Sequence, residues 1–257
     1  MRWLILIIGI FTGMTEAEWA PPKNTNPGDV YREAVSDRRN GHLDKALTKH
    51  IWFHENAIDI EPAYAGVRLS YNLIEWSTLG EEYPQAKTAL LKKAAEAREG
   101  VVNSSECDRD MFHDYIAINT YLNASQNSVD LFIWLEENRP EKAKKFFNLA
   151  FSDLLEAREY RLLSKYTEPF SRLEEINKMY EMNLKDSSDS EMGKELKAYA
   201  EQYFTYNVGA LVAILVNSNQ QQKADKVAKL SVGKVDTEQY RTVMHSASNG
   251  TPPDKWP

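Results

Sequence analysis

The side chains in this sequence that are best suited to chemistry are two histidines, His50 and His54, in the stretch HIWFHE. Their i, i+4 spacing places both imidazoles on one face of a helix, where they could hold a divalent metal ion. No Glu directly follows His50 to serve as a general base, and both positions fall within the apolar stripe of the predicted helix. We therefore favour a packed, hydrogen-bonded histidine pair over a metal site.

A second candidate is the dipeptide His113-Asp114. It resembles the His-Asp pair of the HD phosphohydrolases, which are all-α metalloenzymes. That family needs further His and Asp ligands at set places, and no pattern in this sequence supplies them. An all-α metal-dependent hydrolase that uses His50, His54 and His113 is kept as the alternative function.

The single cysteine, Cys107, has acidic neighbours in Glu106, Asp108 and Asp110. Negative charges close to a thiol disfavour the thiolate, so we expect no catalytic role for Cys107. One cysteine also allows no disulfide within the chain. The sequence contains no Gly-rich phosphate loop, no Gly-x-Ser-x-Gly elbow and no Cys-x-x-Cys pair. These observations favour a protein that is not an enzyme, and we predict no cofactor.

The composition is that of an acidic, soluble globular protein. Its 257 residues include 31 Lys and Arg against 38 Asp and Glu, for a formal net charge of −7. A nucleic-acid-binding protein needs a basic face to displace counterions, so we expect no nucleic-acid partner. Only 11 Gly and 10 Pro are present, and this scarcity of turn residues favours long helices.

Residues 1–17 are typical of a secretory signal peptide. Arg2 supplies the positive region, an apolar run follows, and Thr15-Glu16-Ala17 offers a small-x-small cleavage site. We therefore expect a periplasmic or secreted protein with no stable membrane span after signal cleavage, and a polar leader over 18–25. An uncleaved membrane anchor is the alternative.

The stretch after the leader predicts two helical hairpins. Asn26-Pro27 is a helix start, and we expect helices over about 28–40 and 43–60 with a turn at Gly41 between them. A third helix, over about 64–79, is apolar on two faces, which predicts neighbouring helices on both sides. We expect Gly80 to end it and a fourth helix to run from Pro84 to Gly100.

These two hairpins share a Gly at the turn, an Ala early in the second helix and a bulky residue further along it. The positions are Gly41, Ala46, Phe53 and a following Pro62 in the first hairpin, and Gly80, Ala86 and Leu90 in the second. This pattern resembles the tetratricopeptide repeat over about 26–100, although the Ala46-to-Ala86 spacing exceeds its period of about 34 residues. The resemblance implies an all-α fold in which antiparallel helical hairpins stack as a short right-handed solenoid.

The rest of the chain also predicts helices. We expect further hairpins over 101–185, with helices over about 110–122, 128–138, 140–165 and 169–184. The polar stretch DSSDS at 186–190 predicts a loop and a possible subdomain boundary. C-terminal helices over 186–247 follow, with expected bounds of about 191–217, 220–230 and 237–246, and then a tail over 248–257.

The resemblance implies a concave groove that holds extended peptides or partner helices. Alignment on the two turn glycines places three candidate binding residues on the first helix, Tyr31, Arg38 and Arg39, and three more on the third, Arg68, Ser70 and Asn72. A solvated helix face is the alternative for this surface. We expect an exported scaffold or adaptor that binds a protein or peptide partner. A purely structural or oligomerisation module is a third possibility, and the oligomeric state stays open.

Overall fold

The computed structural model describes residues 19–104, 109–185, 187 and 190–254. Every regular element in these ranges is helical and none is a strand, which confirms the all-α prediction. No helix in them is both long enough and apolar enough to cross a bilayer. The predicted signal peptide and Cys107 lie outside the described residues. The chain divides into two units, residues 1–94 and 95–257.

The described elements follow one another along the chain with short connections. Residues up to the middle of the fifth helix belong to the first unit, which contains α1 (Pro27–Arg39), α2 (Leu43–Ile60), a 3-10 turn (Pro62–Tyr64), α3 (Ala65–Leu69), α4 (Tyr71–Glu82) and the start of α5 (Pro84–Asn103). The second unit continues with α6 (Arg109–Tyr121), α7 (Ser125–Asn138), α8 (Pro140–Glu156), α9 (Tyr160–Tyr166), α10 (Pro169–Lys185), α11 (Glu191–Asn217), α12 (Gln221–Ser231) and α13 (Glu238–Ser248).

The first hairpin forms where the sequence predicts it. The Asn26 side chain accepts a hydrogen bond from the Gly28 amide and caps α1, with Pro27 at the first helical position. Gly41 has a φ of +79°, the left-handed conformation that lets the chain reverse after α1. The α2 helix then runs over its predicted range, Leu43–Ile60, and packs along α1.

The predicted third helix differs from the observed structure at both ends and in the middle. Ser70 leaves helical geometry and its hydroxyl donates to the Gly66 carbonyl at 2.7 Å, so the segment splits into α3 and α4. The predicted stop at Gly80 is wrong, because α4 continues to Glu82. A Cβ on Gly80 would lie 3.2 Å from the Lys87 backbone nitrogen, so this glycine permits the close approach of α5 rather than ending α4.

The core of the first unit is built around two aromatic side chains. Trp76 is fully buried and its indole Nε1 donates to the Ala86 carbonyl at 3.0 Å, which fixes α4 against α5. Phe53 is also fully buried, and its ring centre lies 5.6 Å from that of Tyr31 on α1 and 5.6 Å from that of Tyr64. These contacts position α2 against α1 and α4 against α5.

The sequence predicts a single helix over 140–165, but the second unit has two helices there, α8 and α9. Arg158 has a φ of +59°, and the Glu159 amide donates to the Leu154 carbonyl at 2.8 Å. This is the hydrogen-bond pattern of a Schellman C-terminal turn, with arginine in the position that usually holds glycine. The break therefore has no glycine or proline to reveal it in the sequence.

The C-terminal helices pack around α11. From Phe204 to Leu215 this helix is buried on nearly all sides, and it contacts α10, α12 and α13. The Phe204 ring centre lies 5.0 Å from that of Tyr180 on α10 and 6.2 Å from that of Tyr240 on α13. The predicted bounds of α11, 191–217, are confirmed. The buried run on it is therefore protein core.

Candidate functional site

Arg38 joins α1 to α4 at the surface of the first unit. Its Nη2 donates to Glu75 Oε2 at 3.1 Å and its Nη1 donates to Glu82 Oε1 at 3.0 Å. The two carboxylates lie two turns apart on α4, so one guanidinium can reach both. The arginine side chain is only 17% exposed. Arg38 therefore holds the two helices together, and its charge is balanced within the unit.

We group Tyr31 and Arg39 of α1 with Tyr71 and Ile74 of α4, the helix to which Arg38 joins α1, and call them the α1/α4 face. Tyr71 is 62% exposed and Ile74 is 42% exposed, and the two lie one turn apart on α4. Arg39 is exposed in the last turn of α1 and makes no ion pair with any carboxylate of the described residues. The face therefore combines exposed apolar groups with one available positive charge.

Tyr31 connects the α1/α4 face to the core beneath it. Burial raises the pKa of the Tyr31 hydroxyl, and the nearby Glu75 carboxylate and Tyr71 hydroxyl raise it further. The Tyr31 ring also packs against the fully buried ring of Phe53, with 5.6 Å between ring centres. The neutral phenol of Tyr31 is therefore available as a hydrogen-bond donor at the edge of the face.

A second charged cluster lies between α1 and α2. The Lys49 ammonium contacts Asp37 Oδ2 at 2.7 Å and Glu33 Oε2 at 2.8 Å. Burial disfavours this charge, but the two carboxylates outweigh it and raise the pKa of Lys49. The same ammonium lies 5.5 Å above the ring of Trp19, which packs edge-on against Trp52 at 6.1 Å. The described part of the leader is thus anchored on α2.

His50 makes a buried hydrogen bond to Asn72 on α4. Its Nδ1 donates to Asn72 Oδ1 at 2.8 Å, and Asn72 Nδ2 donates to the His50 carbonyl at 3.3 Å. Because the amide oxygen can only accept, the Nδ1 atom carries the proton and Nε2 keeps its lone pair, which is buried and has no hydrogen-bond partner among the described residues. Burial lowers the pKa of His50, and the positive charge of Arg38 adds to that effect. His50 is therefore neutral.

His54 is engaged one turn further along α2. The Arg68 Nη1 donates to His54 Nε2 at 3.1 Å and approaches the His54 carbonyl at 3.4 Å. The imidazole also packs edge-on against Trp76, with 6.0 Å between ring centres. Since a guanidinium can only donate, His54 Nε2 is an acceptor here. Each histidine thus has a fixed partner from the α3–α4 region.

Five of the six predicted binding residues occupy two environments, and the sixth, Ser70, lies at the break between α3 and α4. On α1, Tyr31 and Arg38 are partly exposed and contact other side chains of the unit, and Arg39 is exposed. Arg68 and Asn72 lie in the interior, 7% and 0% exposed, where they bind His54 and His50. The binding role assigned to all six stays a prediction, and only the first group faces solvent.

Sequence reasoning missed the most exposed part of the face. Tyr71 belongs to the helix predicted to be apolar on two faces and covered on both. That expectation is wrong for Tyr71 and Ile74, because their side chains stay 62% and 42% exposed. In the sequence, this predicted helix already has apolar residues on more of its surface than contact with one core requires. An exposed stripe of this kind is typical of an interaction surface.

The predicted metal ligands are not brought into one cluster within the described residues. His50 and His54 each direct an imidazole nitrogen to a hydrogen-bond partner of the first unit, and His113 belongs to α6 of the second unit. In the described ranges, no group of three His, Cys, Asp or Glu side chains is arranged to hold a metal ion.

Comparisons with protein-family models, with curated proteins and with solved structures find no match to this chain. The function must therefore be argued from the geometry of the site. That geometry consists of a rigid two-helix platform, fixed by the Arg38 ion pairs and by the buried histidine contacts, that carries exposed apolar side chains. Such an arrangement is suited to binding another molecule.

Proposed function

We propose that this chain is an exported helical-repeat protein that binds a protein partner through the α1/α4 face. The observation that carries the proposal is the exposure of Tyr71 and Ile74 on a helix whose opposite side is fully buried. Large apolar side chains that stay exposed next to each other on a rigid helix are typical of protein interfaces. Tyrosine is also among the side chains that contribute most to such interfaces.

The chemistry of the face defines the partner segment. An apolar side chain of the partner can pack against Tyr71 and Ile74, and Arg39 can donate a charge-assisted hydrogen bond to a carboxylate of the partner. Arg38 does not contribute a free charge, since Glu75 and Glu82 already balance it. The partner is thus a peptide segment with an apolar residue close to an acidic one.

The arrangement of the first unit supports a tetratricopeptide-like architecture. The α1 and α2 helices form one hairpin, α4 and the start of α5 form the next, and α4 packs against both helices of the first hairpin. In tetratricopeptide-like stacks the first helix of each hairpin lines the concave surface. In this unit those helices are α1 and α4, which carry the proposed binding face.

Export is proposed from the sequence of residues 1–17, which has the charge and hydrophobicity pattern of a signal peptide. A secreted or periplasmic location fits a fold stabilised by helix packing and by ion pairs such as those of Arg38 and Lys49. The partner would then be a protein of the same compartment. Mass spectrometry of the mature N-terminus tests this part, since export with cleavage predicts a chain that begins at about Glu18.

Photo-crosslinking in the producing cells tests the binding face directly. A photoreactive phenylalanine analogue at position 71 should capture one defined partner. The same analogue at position 91 serves as the control, because Leu91 is also exposed, at 52%, but lies on α5. The adduct formed from position 71 should disappear when Ile74→Glu is added.

Capture of the same proteins from positions 71 and 91 would contradict the proposal. So would a position 71 adduct that survives both Ile74→Glu and Arg39→Glu. Because all of these residues are exposed, the variants should retain the fold, which circular dichroism can verify.

A further inference from the structure

We propose a second site, independent of the α1/α4 face, that binds a small aromatic carboxylate in the second unit. An open-sided cavity of about 350 Å³ lies between α8, α9 and the first turns of α10. Its walls include the positively charged side chains of Lys144, Lys165 and Arg172. Cavities of this size are typical of small-molecule sites.

The apolar wall of the cavity is aromatic. Phe147 on α8 and Tyr166 on α9 line it, and their ring centres lie 5.3 Å apart with the rings tilted by 31°. Phe147 is buried and also packs against Phe151, so its position is fixed. A flat apolar group can contact this wall by offset stacking, which is favourable for aromatic rings.

The carboxylates around the cavity accept hydrogen bonds from other groups of the chain. Glu168 accepts a hydrogen bond from the Ser171 amide at 2.7 Å, and Glu175 accepts one from Arg172 at 3.3 Å. Glu136 binds both Lys165 and the Tyr166 hydroxyl. Burial alone would raise the pKa of Glu136, but these two donors outweigh it and hold the pKa below its usual value.

Two groups on the cavity wall have no such partner. Lys144 is exposed on α8 and makes no ion pair with the described residues. The Thr167 hydroxyl oxygen is buried and has no hydrogen-bond partner among them. A ligand that accepts hydrogen bonds would satisfy both, since an ammonium donates and a hydroxyl can donate.

These observations define the ligand class. Lys144 is a cation on the wall without an ion pair in the described residues, so it can pair with one carboxylate oxygen of a ligand, and the Thr167 hydroxyl can donate to the other. The Phe147–Tyr166 wall then receives the body of the ligand. The site is therefore suited to a monoanionic carboxylate that carries a ring or another flat apolar group.

A titration of the full chain with benzoate, followed by amide NMR shifts, tests the site. We expect saturable shifts at Asn148, Thr167 and Ser171. Benzamide, which lacks the charge, and acetate, which lacks the ring, should each bind about tenfold more weakly. Lys144→Met should weaken benzoate about tenfold and Thr167→Val by a smaller factor.

The neighbouring substitution Lys145→Met is the matched control. Lys145 is also exposed on α8 but does not line the cavity, so benzoate should bind this variant as it binds the unmodified chain. Shifts that do not saturate would overturn the proposal. Equal weakening by Lys144→Met and Lys145→Met, or equal binding of benzoate and benzamide, would also overturn it. None of these outcomes bears on the α1/α4 face.

Discussion

The interior of the first unit and the α10–α13 layer of the second unit bury different kinds of side chain. Between α1 and α4 the described interior holds Lys49, His50, His54, Arg68 and Asn72, all buried. The layer around α11 buries mainly aromatic and aliphatic side chains, and the polar groups buried there in the described residues are uncharged, such as the hydroxyls of Thr205, Ser231 and Tyr240.

This difference has physical consequences for each region. A buried polar pair is stable only with its partner in place, so the His50–Asn72 and His54–Arg68 contacts fix which turn of α2 faces α3 and α4. An apolar core gains more from burial but constrains register less. The polar interior therefore suits a unit whose task is to hold a binding face in one geometry, and it also makes that unit sensitive to pH.

The largest expected effect lies in the apolar layer. Phe204→Ala removes a fully buried ring that contacts Tyr180 and Tyr240, so we expect a loss of about 3–5 kcal/mol in the free energy of unfolding. Hydrogen exchange should show the loss of protection in α10, α11 and α13. A loss below about 1 kcal/mol would mean that this layer is poorly packed, and the contrast between the two interiors would fail.

The polar interior predicts a non-additive result. Asn72→Leu leaves the His50 Nδ1 proton without an acceptor, and His50→Leu leaves the Asn72 oxygen without a donor, so each should cost about 1–3 kcal/mol. The double substitution should cost less than the sum of the two by at least about 0.5 kcal/mol. Urea denaturation measures all three variants. Strict additivity would show that the pair acts through packing alone.

His50 also predicts a pH dependence that the apolar layer lacks. Burial lowers the pKa of His50, so below the unfolded-state pKa of about 6.5 the unfolded chain binds a proton that the folded chain does not. The free energy of unfolding should therefore fall as the pH falls below about 6.5, by up to about 1.4 kcal/mol per pH unit. Above that range His50 contributes no slope.

Comparison of variants across pH 5–8 isolates this contribution. The double variant with leucine at positions 50 and 72 should have a flatter profile than the unmodified chain. Identical slopes for the unmodified chain and the double variant would refute the assignment to His50.

The smallest expected effects come from two helical glycines of the first unit. Gly80→Ala places a Cβ 3.2 Å from the Lys87 backbone nitrogen, so α5 must move by a few tenths of an ångström, and we expect a loss of about 1 kcal/mol. Gly66→Ala meets no atom within 4 Å and should stabilise by about 0.4–1 kcal/mol. Thermal denaturation gives the sign of each change. A stabilising Gly80→Ala would show that the α4–α5 contact is loose.

Local signals account for the part of the fold that could be predicted from the sequence. Asn26-Pro27, Gly41 and Pro84 each act on their own helix end, so the bounds of α1, α2 and the start of α5 are close to those expected. The predictions at Gly80 and Arg158 were wrong. Gly80 permits a close contact between α4 and α5 instead of ending α4, and the backbone hydrogen bonds around Arg158 end α8 without a glycine or proline. Both are tertiary or turn properties that residue type alone does not reveal.

The candidate site could be predicted only in part, for the same reason. The apolar stripe that contains Tyr71 is visible in the sequence, but its exposure depends on which neighbours pack against α4. The pairing of His50 with Asn72 joins residues 22 positions apart on different helices, and no spacing rule specifies it. Arg38 was a candidate because of the repeat resemblance, whereas its partners Glu75 and Glu82 became evident only in three dimensions.

The central proposal is tested most directly by measuring how tightly the partner captured from position 71 binds to substituted chains. Ile74→Glu places a charge in the apolar part of the α1/α4 face, and we predict at least about a tenfold rise in the dissociation constant, equivalent to about 1.4 kcal/mol. Leu91→Glu, the matched change on α5, should leave the constant unchanged. Equal dissociation constants for the unmodified chain and both variants would contradict the assignment of the binding site to this face.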